Sequence, residues 1–134
     1  MAKKFKFEIV TPERVFYSDE IDMVTFNTKD GEIGILADHS PMLIASVVCT
    51  LKIKKDESEE FASIGEGFFE ITSNGVTAIV DTAEWSDEID VDRAIHAKER
   101  AEELLKSKKH DLEMELMLKA SIERANTRIK TAKH

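Results

Sequence analysis

Every glycine and proline of this chain precedes residue 76. Gly31, Gly34, Gly65, Gly67 and Gly75, with Pro12 and Pro41, punctuate the first part, and the 59 residues after Gly75 contain no helix breaker. Glycine opens backbone conformations that other residues resist and proline removes an amide donor. A stretch that holds them turns often, and a stretch without them can run as long helices. A length of 134 residues suits one domain, or a small domain with an appendage. The break in punctuation therefore predicts two architectures in one short chain.

Before the break the hydrophobicity has period two. Phe5, Phe7 and Ile9 alternate with Lys6, Glu8 and Val10, and Leu43, Ala45, Val47, Cys49, Leu51 and Ile53 form a longer one-sided ladder. Such alternation sets one face of an antiparallel strand into a core. Asp30-Gly31 and Asn74-Gly75 offer the positive-φ residues of tight hairpins, the second joining Phe69-Glu70-Ile71 to Val76-Thr77-Ala78. The expectation is an all-β sandwich of short strands in residues 1–84.

After the break the period is 3.6. Val91, Ala94, Ala97/Lys98, Ala101 and Leu104/Leu105 lie on one stripe; Met114, Leu118, Ile122, Ala125, Ile129 and Ala132 lie on another. Residues 85–134 are expected to form an α-helical hairpin of two antiparallel helices. Asp90 suits the N-cap of the first, Lys106-Ser107-Lys108-Lys109 suits its C-terminal dipole, and the chain turns near His110-Asp111. Several seam residues are alanine and bury little area, so weak docking of the hairpin is expected.

The chain holds 27 Asp and Glu against 19 Lys and Arg, a formal charge of −8. That balance argues against a nucleic-acid or anionic-membrane binder, because phosphate neutralisation needs a basic face. The excess is local. Residues 1–84 carry 16 acids against 8 bases, residues 85–118 carry 10 against 6, and residues 119–134 carry 1 against 5. No apolar run approaches the ~20 residues of a membrane span, so no direct membrane insertion is expected. Met1-Ala2-Lys3-Lys4 leads into alternation where a signal peptide needs an apolar core. The single Cys49 cannot pair within the chain. The chain reads as cytoplasmic.

Few groups suggest catalysis. Gly65-Glu66-Gly67-Phe68 begins like a dinucleotide fingerprint, but it lacks a third glycine and a following helix, so a β-corner is the better reading. Asp92, His96 and Glu99 share one helix face, a spacing that metal ligands use and that solvated faces use more often; no metal is assigned. Cys49 lies on the apolar phase and reads as a core thiol. His39, between Asp38 and Ser40-Pro41, has no nucleophile context and reads as a turn-fixing residue or a polar contact to a partner.

The arginines carry a sharper signal. Arg93 has Asp90 at i−3 and Arg100 has Glu103 at i+3, whereas Arg124 and Arg128 are four apart and have no acid at i±3 or i±4. They repel one another unless an external anion joins them. All four directly precede stripe residues, so folding the hairpin brings both pairs toward the rim of one seam, where a phosphate chain would reward convergent guanidinium forks. A solvated cationic face has the same spacing, and the residues alone leave both readings open.

Gly31-Glu32-Ile33-Gly34-Ile35-Leu36-Ala37-Asp38-His39-Ser40-Pro41 resembles the central motif of the epsilon subunit of bacterial rotary ATP synthases. So do Gly65-Glu66-Gly67-Phe68-Phe69-Glu70, Asn74, Val76-Thr77 and Asp81-Thr82-Ala83-Glu84. The resemblance spans essentially the whole chain. It implies a β-sandwich docked on the gamma subunit and the rotor c-ring, peripheral on the cytoplasmic face of the cell membrane. It also implies a hairpin that stays folded on the sandwich in a permissive state or extends along gamma to inhibit ATP hydrolysis.

Some members bind ATP on the folded hairpin through I/L-D-x-x-R-A, which Ile89-Asp90-Val91-Asp92-Arg93-Ala94 matches. By that resemblance Glu84, Ile89, Asp90, Arg93 and Ala94 would surround base and sugar, and Arg100, Arg124 and Arg128 would face phosphates. ATP would be a regulatory ligand, with no cofactor required. The extended hairpin would meet the catalytic beta subunits, and the transported ion, proton or sodium, stays open. Two rival readings are an adaptor hairpin without nucleotide binding and a small nucleotide-binding enzyme. Because no phosphate-cradling loop and no water-activating group is present, the isolated chain should show no steady ATP turnover. Turnover abolished by changing Arg93 or Arg124 would overturn the coupling-subunit reading.

Overall fold

The computed structural model describes residues 3–107 and 109–134; Met1, Ala2 and Lys108 of the basic run lie outside them. Ten strands precede two helices: β1 (Phe5–Val10), β2 (Val15–Ile21), β3 (Met23–Thr28), β4 (Gly31–Ile35), β5 (Met42–Ser46), β6 (Cys49–Lys55), β7 (Ser58–Ile64), β8 (Gly67–Thr72), β9 (Gly75–Val80) and β10 (Ala83–Trp85), then a 3-10 turn at Ser86–Glu88, α1 (Val91–Lys106) and α2 (Leu112–Thr131). The strands make two five-stranded sheets, ordered β2-β1-β9-β8-β5 and β10-β7-β6-β3-β4. The all-β sandwich followed by a helical hairpin is the architecture that the two periodicities predict.

The core is the alternating set turned inward. Phe7, Ile9, Phe69 and Ala78 of the first sheet face Val24, Phe26, Leu51 and Ile53 of the second, all at 0–1% exposure. Phe69 stacks on Phe26 across the sheets with centroids 3.6 Å apart and lies 6.3 Å from Phe7 within its own sheet. Each fully buried aromatic of this kind contributes roughly 1.5–3 kcal/mol of transfer free energy. Cys49 is buried among them, accepts a weak bond from the Asn27 amide at 3.4 Å, and has its thiol pushed up by burial. It is a core thiol.

Three sequence expectations need correction. The ladder from Leu43 to Ile53 is two strands in different sheets, β5 and β6, joined by Val47-Val48. The crossing resets the alternation, so β5 turns Ile44 and Ser46 inward and leaves Leu43 66% exposed. The pairing of β1 with β9 is parallel, where only antiparallel strands were expected. The hairpin loops are Lys29-Asp30 and Ser73-Asn74, with Thr28 opposite Gly31 and Thr72 opposite Gly75. Only the glycines take positive φ there, +124° and +139°. In each loop the threonine hydroxyl donates to the glycine carbonyl and accepts the amide of Asp30 or Asn74.

Gly65 is the β-corner expected of it. It carries the chain from β7 in one sheet to β8 in the other, and a Cβ there would lie 1.7 Å from Asp81 Oδ1. Asp90 caps α1 by accepting the Arg93 amide at 3.0 Å, and Asp111 caps α2 by accepting the Met114 amide at 2.8 Å. The hairpin seam buries Ala94, Ala101, Leu118 and Ala125, whereas Ala97, Leu104 and Met114 of the two expected stripes stay exposed.

The crossing from β2 to β3 is fixed by charge. Asp22 accepts Lys4 Nζ at 3.0 Å and the Asp56 amide at 2.6 Å, while Lys4 also reaches Asp56 at 2.9 Å. Lys4, and next the Asp56 amide, hold the Asp22 carboxyl below the usual carboxylate range. A folded value below the unfolded one (~3.9) contributes stability above that pH, lost as pH falls through the folded value. Asp22→Asn should therefore flatten the fall of the urea midpoint below about pH 4; an acid limb of unchanged slope would show that the cluster contributes nothing.

Candidate functional site

The hairpin rests on the second sheet through polar and aromatic contacts from the last turns of α2. Arg128 grips Glu84 of β10 with two parallel bonds, Nε to Oε1 at 2.8 Å and Nη2 to Oε2 at 3.1 Å. Thr131, fully buried, donates its hydroxyl to the Thr127 carbonyl at 2.7 Å, so its 2.6 Å contact with Thr50 of β6 takes the Thr50 hydroxyl as donor. The His134 ring stacks on Phe61 of β7 with centroids 4.1 Å apart. The apolar share of this docking is small, as the alanine seam predicts, and hydrogen bonds take its place.

Arg128 thus has a carboxylate partner within the chain. Helical spacing pointed outside the chain because it compares only residues on the same helix, and Glu84 lies 44 residues away on a strand. Arg124 differs. It reaches Ser121 at 3.1 Å and has no carboxylate partner among the described residues.

Between sandwich and hairpin lies a cavity of about 620 Å³. Its hairpin wall holds Ala97, Ser121, Arg124, Ala125 and Arg128; its sandwich wall holds Thr11, Glu13 and Arg14, Gly65 of the corner, and Asp81 to Glu84. A second cleft of about 570 Å³ runs over α1 and is lined by Asp90, Asp92, Arg93, His96, Ala97 and Arg100. Ala97 borders both. The site residues from the sequence thus divide: Glu84, Arg124 and Arg128 line the first, and Asp90, Arg93 and Arg100 line the second. Ile89 and Ala94 line neither cavity; they are buried, at 8% and 0% exposure, beside and within the first turn of α1.

Sequence reasoning missed Arg14. It is the only arginine of residues 1–84, a rarity that was the available signal. Its guanidinium lies over the Phe16 ring at 5.3 Å, and Phe16 stacks on Trp85 at 4.5 Å. Arg14 forms no ion pair among the described residues. Glu13, Asp81, Glu84 and Glu88 supply opposing charge around the same cavity.

His39 lies elsewhere, in the loop from β4 to β5, beside a cavity of about 400 Å³ shared with Lys3, Lys4, Asp38 and Asn74. Asp38 takes φ +63° and pairs with Lys3 at 2.9 Å. The ring Nε2 is enclosed and meets no partner among the described residues, so the loop holds the imidazole by shape. Among the described residues no three His, Cys, Asp or Glu gather as metal ligands, and no helix is long and apolar enough to cross a membrane.

The Arg128–Glu84 pair is about a third exposed on each side, and a bidentate pair so placed is worth about 1 kcal/mol. Glu84→Gln should quicken amide exchange over 125–131 of α2 by about fivefold, with exchange in β6 and β8 unchanged. Equal rates in both chains would mean the pair does not hold the hairpin down.

Two family descriptions cover the chain. "ATP synthase, Delta/Epsilon chain, beta-sandwich domain" matches residues 4–86, and "ATP synthase, Delta/Epsilon chain, long alpha-helix domain" matches residues 87–133. Curated relatives named "ATP synthase epsilon chain" include that of Caldicellulosiruptor bescii, 42% identical over 96% of this chain and 93% of its own length. That of Caldanaerobacter subterraneus subsp. tengcongensis is 43% identical over 98% and 96%. In fold, a chain of the cryo-EM structure of the Euglena gracilis mitochondrial ATP synthase (OSCP, F1 and c-ring) aligns with a TM-score of 0.84 at 19% identity, covering 98% of this chain and 82% of that one. On both domains and over nearly its full length, this chain belongs to the ATP synthase delta/epsilon chain family, beside the bacterial epsilon chains.

Proposed function

We propose that this non-catalytic chain is a central-stalk subunit whose sandwich couples rotation between gamma and the rotor c-ring, and whose hairpin binds ATP when folded and inhibits ATP hydrolysis when extended toward the catalytic beta subunits. The observation that carries the ATP reading is the convergence of Glu84, Arg124 and Arg128 on one cavity with Asp90, Arg93 and Arg100 on the adjoining cleft, the two meeting at Ala97. Convergent guanidinium groups beside a small residue suit a polyanion with a planar end. ATP stabilises the folded hairpin by its differential affinity for that state.

Support for the stalk role comes from the outer face of the first sheet. Register aligns Ala45 with Phe68, Phe68 with Ile79 and Ile79 with Val10 across four strands. Phe68 is 52% and Ile79 51% exposed, with Leu43 adjoining. A continuous apolar row on an otherwise acidic domain is what a permanent partner covers, and on this reading it meets gamma. The His39 loop lies at the end of β5 and takes the c-ring contact. The complex works at the cytoplasmic face of the membrane, this chain being peripheral to it.

Arg124→Ala with Arg128→Ala should weaken ATP binding at least tenfold, since a charge-assisted bond to phosphate is worth about 1.5–3 kcal/mol when desolvated. The same pair should relieve inhibition in the assembled enzyme. Titration of the purified chain, with hairpin compaction followed by fluorescence, measures the first; ATP hydrolysis by the reconstituted complex measures the second. Unchanged affinity and unchanged inhibition together would leave the arginines as solvated surface and favour the adaptor.

A further inference from the structure

Of the residues assigned to the nucleotide, only Glu84 belongs to the sandwich, and a carboxylate gives a phosphate chain nothing to bind. The cavity beside Arg124 has a wall on each domain, and both walls carry an arginine without a carboxylate partner among the described residues. Arg124 stands on α2 and Arg14 on the turn between β1 and β2. Four carboxylates, those of Glu13, Asp81, Glu84 and Glu88, also line the cavity and balance its charge overall, yet among the described residues none of them pairs with Arg14 or Arg124, and Arg128 beside them is already engaged by Glu84. Arg14 is not loose: its guanidinium is seated on Phe16, which stacks on Trp85, next in sequence to Glu84. That seating holds the cation at the cavity wall and lowers the ordering cost of any bond it makes.

From this arrangement we propose that Arg14 is a sandwich-side phosphate ligand, so that a bound nucleotide bridges Arg14 and Arg124 and clamps the folded hairpin to the β-sandwich. The proposal rests on the nucleotide reading above and adds the means by which ligand binding selects the docked state over a hairpin that is folded but free. Glu13 next to Arg14 opposes the charge and tunes the site. A phosphate chain satisfies both guanidinium groups at once, which adenosine alone does not.

The test is ATP titration of the full chain and of Arg14→Ala, Arg14→Lys, Arg124→Ala and Lys29→Ala, the last in the β3–β4 turn and lining neither cavity. Arg14→Ala should weaken ATP binding about three- to tenfold, the range of a partly exposed charge-assisted contact. Arg14→Lys should recover part of the loss and Lys29→Ala none of it to begin with. The melting midpoint without nucleotide should fall only slightly for Arg14→Ala, by the loss of its contact with Phe16, while its rise at saturating ATP shrinks well beyond that. This separates a ligand contact from a folding defect. Arg14→Ala binding ATP as the parent does, with Arg124→Ala impaired, overturns the clamp and leaves the nucleotide reading standing. A parent chain that binds no ATP sinks both.

Discussion

The docking of the hairpin begins from the fork of Arg128 on Glu84, an ion pair across 44 residues. It joins the last long helix to the last strand of the sandwich, and both residues line the cavity between them. The seam buries three alanines and one leucine, and alanine contributes only a fraction of the ~1.5–3 kcal/mol of a larger apolar side chain. The Thr50–Thr131 bond and the His134–Phe61 stack add contacts worth about 1 kcal/mol each. The docked state is thus favoured by a few kcal/mol, the range in which a ligand of ordinary affinity can decide a two-state equilibrium.

Glu84 does not exhaust Arg128. A guanidinium has five donors in a planar fork, and the pair uses Nε and one Nη2 hydrogen. The remaining N–H groups can donate to a phosphate oxygen while Glu84 stays in place. On the proposed reading this matters, because an anion that had to displace Glu84 would trade one charge-assisted pair for another and gain little. An anion that adds to the pair gains a bond and keeps the latch. Asp92, on the rim of the adjoining cleft, works the other way by repelling phosphate, which lowers affinity without removing the geometry.

What the sequence makes legible follows from the range of each interaction. Alternation in β1 and the 3.6 period of α1 and α2 are local, and the N-cap at Asp90 acts within one turn, so sandwich, hairpin and that cap are readable, whereas Asp111 reads only as a turn. The ladder from Leu43 to Ile53 misled because the crossing at Val47-Val48 keeps the apolar rhythm while changing sheets. The parallel contact of β1 with β9 joins residues nearly seventy apart and leaves no local trace. The same limit explains the site. Helical spacing left Arg128 without an acid because Glu84 belongs to a strand, and Arg14 shows in the sequence only as a lone arginine because the cavity it shares with Arg124 forms only on folding.

The two domains differ in how they resist force. The sandwich interlocks Phe7, Phe69 and Phe26 through both sheets, and a close-packed core of this kind yields cooperatively or not at all. The exposed row from Ala45 to Val10 offers a partner area without spending core residues, and on the proposed reading the stiffness of that core is what passing torque requires. The hairpin carries apolar residues at its far end instead, with Leu112 70%, Leu116 61% and Met117 65% exposed. These gain nothing from the docked state. Neither the exposed tip nor the thin alanine seam adds much to docking, which leaves the polar contacts at the opposite end of α2 to carry it; on the proposed reading a ligand in the cavity adds to those contacts.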